Sequence, residues 1–262
     1  MKRLGVLTGT ALALVSVSVF AADVSAQNGG VIPQQQQMEH VIHDYLVNHP
    51  EVLMEASQAL QKKQQEEATK QAKSAIIQHA DALYQGERSI AGNPKGNVTL
   101  VEFFDYQCIH CKKMKPTLNE LIAKNKNLRV IYKEFPIFGK NSEIASQVVL
   151  AAAMQGKYTL MHDALLNLDK PLDEAVIMSA AKSAGLNMDQ LKKDMISQAI
   201  KDELAANRTL AEQIHLMGTP AFIVASTPMG HFDSKSSPSF IPGGASQEAL
   251  QDLIDEASKD KK

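Results

Sequence analysis

Apolar residues change their spacing several times along this chain, and each change marks an element. Residues 4–20 are almost continuously apolar, interrupted only by Gly, Ser and Thr. Residues 27–37 are rich in Gly and Gln and carry no apolar period, which predicts an unstructured stretch. Val41 with Tyr45, and Ile42 with Leu46, then stand at i,i+4, the spacing of a short helix that His49-Pro50 ends. Between Pro50 and residue 83 there is neither Gly nor a second Pro, and Ala, Gln, Lys and Glu dominate. A continuous helix here would be about 50 Å long, supported by a Glu66–Lys70 pair at i,i+4. Its apolar residues fall in two patches, Val52, Leu53 and Leu60, then Ile76, Ile77 and Leu83, with a polar middle. One compact domain does not cover patches so far apart, so the pattern predicts a helical arm that packs on a second copy, most simply as a homodimer.

The second half reads differently. Residues 85–96 carry the turn signals Gly86, Gly92, Asn93-Pro94 and Lys95-Gly96. A near-continuous apolar run over 97–105 predicts a buried central strand. A helix follows over 108–124 with a kink expected at Pro116, then a second strand over 128–135. Strand–helix–strand of this length is a βαβ unit with a parallel pair. Residues 141–212 are helical in pattern throughout. A strand over 220–224, a loop over 226–238, a short partner strand at 239–241 and an amphipathic helix over 247–258 complete the chain. The pattern implies an α/β domain over 91–262 with an all-helical insert at 141–212, preceded by a helical oligomerisation arm over 27–90.

Composition narrows the function. A formal charge of −2 over 262 residues, with no Lys/Arg stripe, argues against nucleic-acid binding. Lys2 and Arg3 before the apolar run, and small residues up to Ala21 and Ala26, form a secretory signal peptide over residues 1–26. Export through such a signal points to a bacterial periplasm. No later segment is apolar enough to span a bilayer. The chain has only two cysteines, three positions apart. A structural disulfide gains stability by closing a long loop, and a Cys108–Cys111 bridge closes almost none, so its value is chemical.

Thiol–disulfide exchange needs a thiolate to attack and a second thiol to resolve the mixed disulfide. At a helix start the first thiol meets unsatisfied N–H groups and the positive end of the dipole. Cys108 is therefore expected to attack and Cys111, one turn in, to resolve. His110 between them would favour the Cys108 thiolate. Zinc would need four ligands and no further cysteines exist; a Cys–His hydrolase would leave Cys111 idle. No metal or cofactor is expected. Glu102 stands inside the apolar run Val101-Glu-Phe-Phe104. It either lies buried beneath the cysteines, able to exchange a proton with Cys111, or points out at a sheet edge. Thr219-Pro220 opens the third strand. A cis bond there would leave backbone groups free for an extended substrate, whereas a trans proline would merely start the strand.

Val101-Glu-Phe-Phe-Asp-Tyr-Gln-Cys-Ile-His-Cys111, Tyr132-Lys-Glu-Phe-Pro136, Gly218-Thr-Pro-Ala-Phe222 and the terminal helix resemble the DsbA-like thiol oxidoreductases of the thioredoxin superfamily. The resemblance covers about residues 95–258. It implies a thioredoxin fold with an α-helical insert, a cis Pro220, Glu102 as the buried acid and Cys108 as the reactive thiolate of a redox-active Cys108–Cys111 disulfide. It implies substrates among unfolded or misoxidised exported proteins, and a membrane partner, either a DsbB-like oxidase or a DsbD-like reductase. The chain departs from DsbA in its Ile-His dipeptide, in Thr219 (the isomerases DsbC and DsbG also carry Thr there), and in its arm. Those departures favour disulfide isomerisation alongside oxidation. Proteins of this type also resemble surface antigens, so outer-membrane association stays open. Two other readings remain: an envelope chaperone using Met154, Met161, Met217 and Met229, and copper handling through Cys108, His110 and Cys111.

Overall fold

The structure, a computed structural model, describes residues 33–86 and 88–259. The signal peptide over 1–26 lies outside the described residues. The chain divides into two units, residues 1–59 and 60–262.

In the first unit, α1 (Pro33–Asn48) is followed by a turn at His49-Pro50 and by the start of α2 (Glu51–Gln78). Pro33 is tolerated at a helix start because its missing N–H would be unsatisfied there anyway. Helix formation thus begins at residue 33, so the expectation of an unstructured 33–37 is corrected: glutamine is a good helix former and needs no apolar period. Along α1, Met38, Val41, Ile42 and Tyr45 recur at three- and four-residue spacing and are all more than half exposed. Leu53 and Met54 at the start of α2 are exposed as well. Among the described residues this stripe has no apolar partner.

The second unit begins within α2. The long helix breaks at His79, and α3 (Ala80–Tyr84) follows. Glu66 and Lys70 make no ion pair among the described contacts. Two of the three residues of the distal apolar patch are covered within the chain, contrary to the reading of the sequence, while Ile77 is 48% exposed. Ile76 and Leu83 are fully buried with Val101, Phe103 and Ile131 of their own sheet. That sheet comprises β1 (Ile90–Gly92), β2 (Val98–Phe104), β3 (Leu128–Glu134), β4 (Ala221–Ser226) and β5 (Ser239–Pro242), in the order β1-β3-β2-β4-β5. β2 and β3 are parallel, joined by α4 (Ile109–Lys124); the other pairings are antiparallel. β1 falls in what reads as a linker. Three residues are too few for a period, and only pairing to the β3 edge makes them a strand. Its Gly92, at φ +75, sits where a Cβ would press on the Leu128 carbonyl.

Alternation across the sheet sorts its residues into two cores. Leu100 and Phe104 of β2, Val130 and Tyr132 of β3, and Phe222 and Val224 of β4 face α4 and the terminal α10 (Gln247–Lys259). Val101, Phe103, Ile131, Ala221 and Ile223 face the opposite side, which α3 and the end of α2 cover. Between β3 and β4 the insert runs α5 (Lys140–Met154), α6 (Tyr158–Leu166), α7 (Glu174–Ser183), α8 (Met188–Asp194) and α9 (Gln198–Gln213). Its centre is α5, whose Val148, Val149 and Ala152 are wholly buried. The fold is thus a thioredoxin-like α/β domain with an all-helical insert and a helical N-terminal segment. Among the described residues no helix is long and apolar enough to cross a membrane.

Candidate active site

The four residues between β2 and α4 place the cysteines. Asp105 is completely buried, and its carboxylate anchors the loop. It accepts hydrogen bonds from the Gln107 N–H at 2.7 Å, the Ser142 hydroxyl at 2.7 Å, the Ile137 N–H at 2.7 Å and the Phe138 N–H at 3.0 Å. Its carbonyl accepts from the Cys108 N–H at 3.1 Å. Cys108 thus becomes the N-cap of α4, in extended conformation, at the end where helical N–H groups lack partners. α4 runs through Pro116, and its buried residues Cys111, Met114, Lys115, Leu118 and Leu121 form one stripe.

Both cysteines are free thiols and both are buried. Their acidities are pushed in opposite directions. The Cys108 thiol is lowered to about 5, first by its hydrogen bond from Cys111 and then by the Thr219 side chain and the N–H groups of Cys111 and His110, against an opposing burial effect. Cys111 is driven far up, chiefly by burial, then by its hydrogen bond with Cys108 and by the charge of Glu102. When protonated, the Cys108 thiol donates to the Thr219 carbonyl at 3.3 Å, and the buried Thr219 hydroxyl then has no partner. When the sulfur is ionised, that hydroxyl is a donor available to the charge. The Thr219–Pro220 bond is cis. His110 contributes through its backbone; its side chain is exposed and makes no hydrogen bond to Cys108 among the described contacts.

Glu102 lies on the central strand, opposite Tyr132 on one side and Phe222 on the other. Alternation puts it on the α4 face with Leu100 and Phe104, and it is 2% exposed. It therefore lies beneath the cysteines, away from any sheet edge. Burial, above all, raises its pKa well above the carboxylate range; charge on Cys108 and Glu134 adds to this, and Lys115 opposes it.

Several buried polar groups on this face escape a reading of the sequence alone. Glu134 accepts hydrogen bonds from the hydroxyls of Tyr106 at 2.9 Å and Tyr158 at 3.0 Å, and burial pushes it up to about 8. His162 is completely buried, lies with its ring tilted 35° against Tyr132 at a centroid distance of 4.2 Å, and is held neutral, first by burial and then by Lys115. The available signal was Lys115 itself, a charge inside the 111–114–118–121 apolar stripe. Of the four methionines, Met161 is core, whereas Met217 and Met229 are exposed and Met154 partly so. Among the described residues no three His, Cys, Asp or Glu side chains are grouped to hold a metal ion.

Beside Thr219 a cavity of about 580 Å³ opens between α2 and the loop before β4. Ala68 and Ala72 of α2, Leu216, Thr219, Pro220 and Phe240 line it, and no Asp, Glu, Lys or Arg does.

The profile of the DSBA-like thioredoxin domain matches residues 99–255, and that of the copper resistance protein ScsC N-terminal domain matches residues 34–67. The crystal structure of BcfH from Salmonella enterica Typhimurium is 32% identical, covers 87% of this chain and 97% of its own, and superposes with a TM-score of 0.72. The thiol-disulfide exchange protein α-DsbA2 from Wolbachia pipientis is 26% identical over 71% of this chain and 95% of its own, with a TM-score of 0.62. Among curated sequences, the Na(+)/H(+) antiporter NhaA 3 of Salinispora tropica is 26% identical over 137 residues, 52% of this chain; the match spans only 21% of the antiporter.

Proposed function

The chain belongs to the DSBA-like thioredoxin domain family, and on that premise we propose that it is a thiol:disulfide oxidoreductase that forms and isomerises disulfides in exported proteins. The observation that carries this reading is the opposed acidity of two thiols at one helix start, Cys108 at about 5 and Cys111 pushed far up. A stabilised Cys108 thiolate is a good leaving group, so a Cys108–Cys111 disulfide is readily reduced by substrate thiols.

In the oxidising direction a substrate thiolate attacks Cys108 Sγ. The Cys108–Cys111 bond breaks, and Cys111 leaves as a thiolate and takes a proton from Glu102. A second substrate thiolate then attacks the substrate sulfur of the mixed disulfide and expels the Cys108 thiolate. Two substrate thiols become one disulfide, and the enzyme's disulfide becomes two thiols. For isomerisation the reduced enzyme starts: Cys108 attacks a wrong disulfide, the freed substrate thiolate attacks a second substrate disulfide, and the thiolate this releases attacks the substrate sulfur of the mixed disulfide and expels Cys108 as the thiolate it began as. Cys111 resolves stalled complexes, with Glu102 accepting its proton. Thr219 borders the Cys108 sulfur, and the groove beside Thr219 and Pro220, with Ala68, Ala72, Leu216 and Phe240 in its lining, suits an apolar side chain next to the substrate cysteine.

The finer assignments have separate support. A periplasmic location rests on the signal-like residues 1–26 and on the family. Self-association, most simply as a homodimer, rests on the exposed α1 stripe and the similarity of residues 34–67 to the ScsC N-terminal domain. A membrane oxidase or reductase would reset Cys108–Cys111. The test is refolding of a reduced and of a scrambled-disulfide substrate by the full chain and by Cys108→Ser. Loss of both activities in the variant supports the reading. Retained activity overturns it, and retained suppression of aggregation alone marks the chaperone alternative, which the exposed Met217 and Met229 favour.

A further inference from the structure

Lys115 occupies a position that sequence pattern reserves for an apolar side chain. It is the i+4 neighbour of Cys111 in the buried stripe of α4, and it is 4% exposed. Its ammonium donates a hydrogen bond to Asn119 Oδ1 at 2.7 Å and lies 2.6 Å from Asp163 Oδ1 in an ion pair. Asp163 belongs to α6 of the helical insert and its side chain is 42% exposed, so it links the buried lysine to solvent. An ammonium is not placed in a core without cost. A Met at this position would fill the same stripe without it.

The side of the sheet that α4 covers supplies the reason. Alternation with Leu100 and Phe104 puts the buried Glu102 of β2 on that face, which the α4 stripe carrying Cys111 and Lys115 covers. The groups that bear on the pair come from three elements and from Asp105 in the loop before α4, whose backbone bears on Cys111. α4 brings Cys108, Cys111 and Lys115; β3 brings Tyr132 and Glu134; α6 brings His162 and Asp163. β4 presents only Phe222 to Glu102. Cys108 as thiolate and Glu134 as carboxylate disfavour a charge on Glu102, and His162 is neutral. Lys115 is the one group among those bearing on Glu102 that favours its ionised form.

We infer that Lys115, held by Asp163 of the helical insert, is a positioning residue that keeps Glu102 able to lose and regain the proton exchanged with Cys111. The insert thereby takes part in the redox centre as well as covering it. When Cys111 attacks a mixed disulfide, its thiol proton passes to the Glu102 carboxylate; when Cys111 leaves as a thiolate, Glu102 returns it. Lys115 takes no part in the transfer. Without it, Glu102 holds its proton to higher pH and the step that needs the carboxylate starts later.

This inference rests on the oxidoreductase reading, and its failure is separable from the failure of that reading. The measurement is the pH dependence of mixed-disulfide resolution by Cys111 in the full chain, using a glutathione mixed disulfide on Cys108. Lys115→Met and Lys115→Gln are expected to move the midpoint up by about one unit or more, a roughly tenfold slower step below it. Asp163→Asn is expected to move it the same way by less, because the lysine loses its counter-charge. In a Glu102→Gln background, Lys115→Met is expected to add nothing. Unchanged midpoints in both lysine variants, with only the unfolding midpoint lowered, would overturn the inference. An unchanged profile in Asp163→Asn would remove the insert from it. Absence of exchange in the unmodified chain would instead overturn the function itself.

Discussion

At the scale of single residues, the cysteine pair sets two measurable quantities. Thiolate absorbance of the reduced protein is expected to titrate with a midpoint near 5 for Cys108, with no Cys111 step between pH 5 and 9. The stability consequence follows from linkage. The Cys108 pKa is lower in the folded chain than in the unfolded one, so its contribution is fully present above about pH 9 and is lost as pH falls through about 5. Glu134 acts with opposite sign: its folded value is raised to about 8, so its contribution is full below the usual carboxylate range and lost as pH rises through about 8. Glu134 is present in both redox forms, whereas only the reduced form has a thiolate. The reduced-minus-oxidised difference in denaturation free energy is therefore expected to grow from pH 5 to pH 8. A flat difference would mean that Cys108 is not depressed.

At the scale of elements, the loop between β2 and α4 decides where the sulfur sits. Asp105 gathers four donors from the loop, from residues 137 and 138 and from α5. Asp105→Ala would remove the acceptor of all four and leave the Ser142 hydroxyl buried without it, at a cost of about 3 kcal/mol. Chemical denaturation is expected to register that loss. A variant as stable as the original chain would show that water replaces the carboxylate. The arm gives a second prediction. A helix with an exposed apolar stripe gains its stability from covering that stripe, because isolated helices of this length are marginal in water. Val41→Glu together with Tyr45→Glu is expected to convert a self-associated species to monomer in sedimentation, with the redox chemistry of each domain intact. An original chain that already sediments as a monomer would remove the role of the arm.

At the scale of the molecule, the proposed function makes isomerisation and oxidation separable by assembly. An isomerase must hold a misfolded substrate while Cys108 attacks more than one of its disulfides, and several catalytic domains joined through their arms raise the effective concentration of thiolate around it. The monomeric Val41→Glu/Tyr45→Glu variant is therefore expected to oxidise a reduced substrate at an unchanged rate per domain while losing most scrambled-substrate refolding. Equal loss of both activities would place the arm in the chemistry itself.

The sequence by itself determined what depends on local spacing. Two cysteines three apart at the start of a helix define a dithiol, and an apolar run before them defines a buried strand. Period 3.6 outlines the insert and α10 closely. The motif sufficed to place Cys108 at a helix N-terminus because capping is a matter of a few neighbouring residues. What remained open depended on contacts between distant segments. β1 exists only because three residues pair with β3. The Ile76–Leu83 patch reads as an interface until the sheet is there to cover it. Glu102 has two readings until the strand order makes β2 central and alternation turns its side chain toward α4. The cis state of Thr219–Pro220 and the partners of Lys115 belong to the same class. The physical reason is common to all of them. Burial and the electrostatic field at a side chain are sums over neighbours brought together by the fold, and residues 102, 115, 134 and 163 become neighbours only when strand, helix and insert pack.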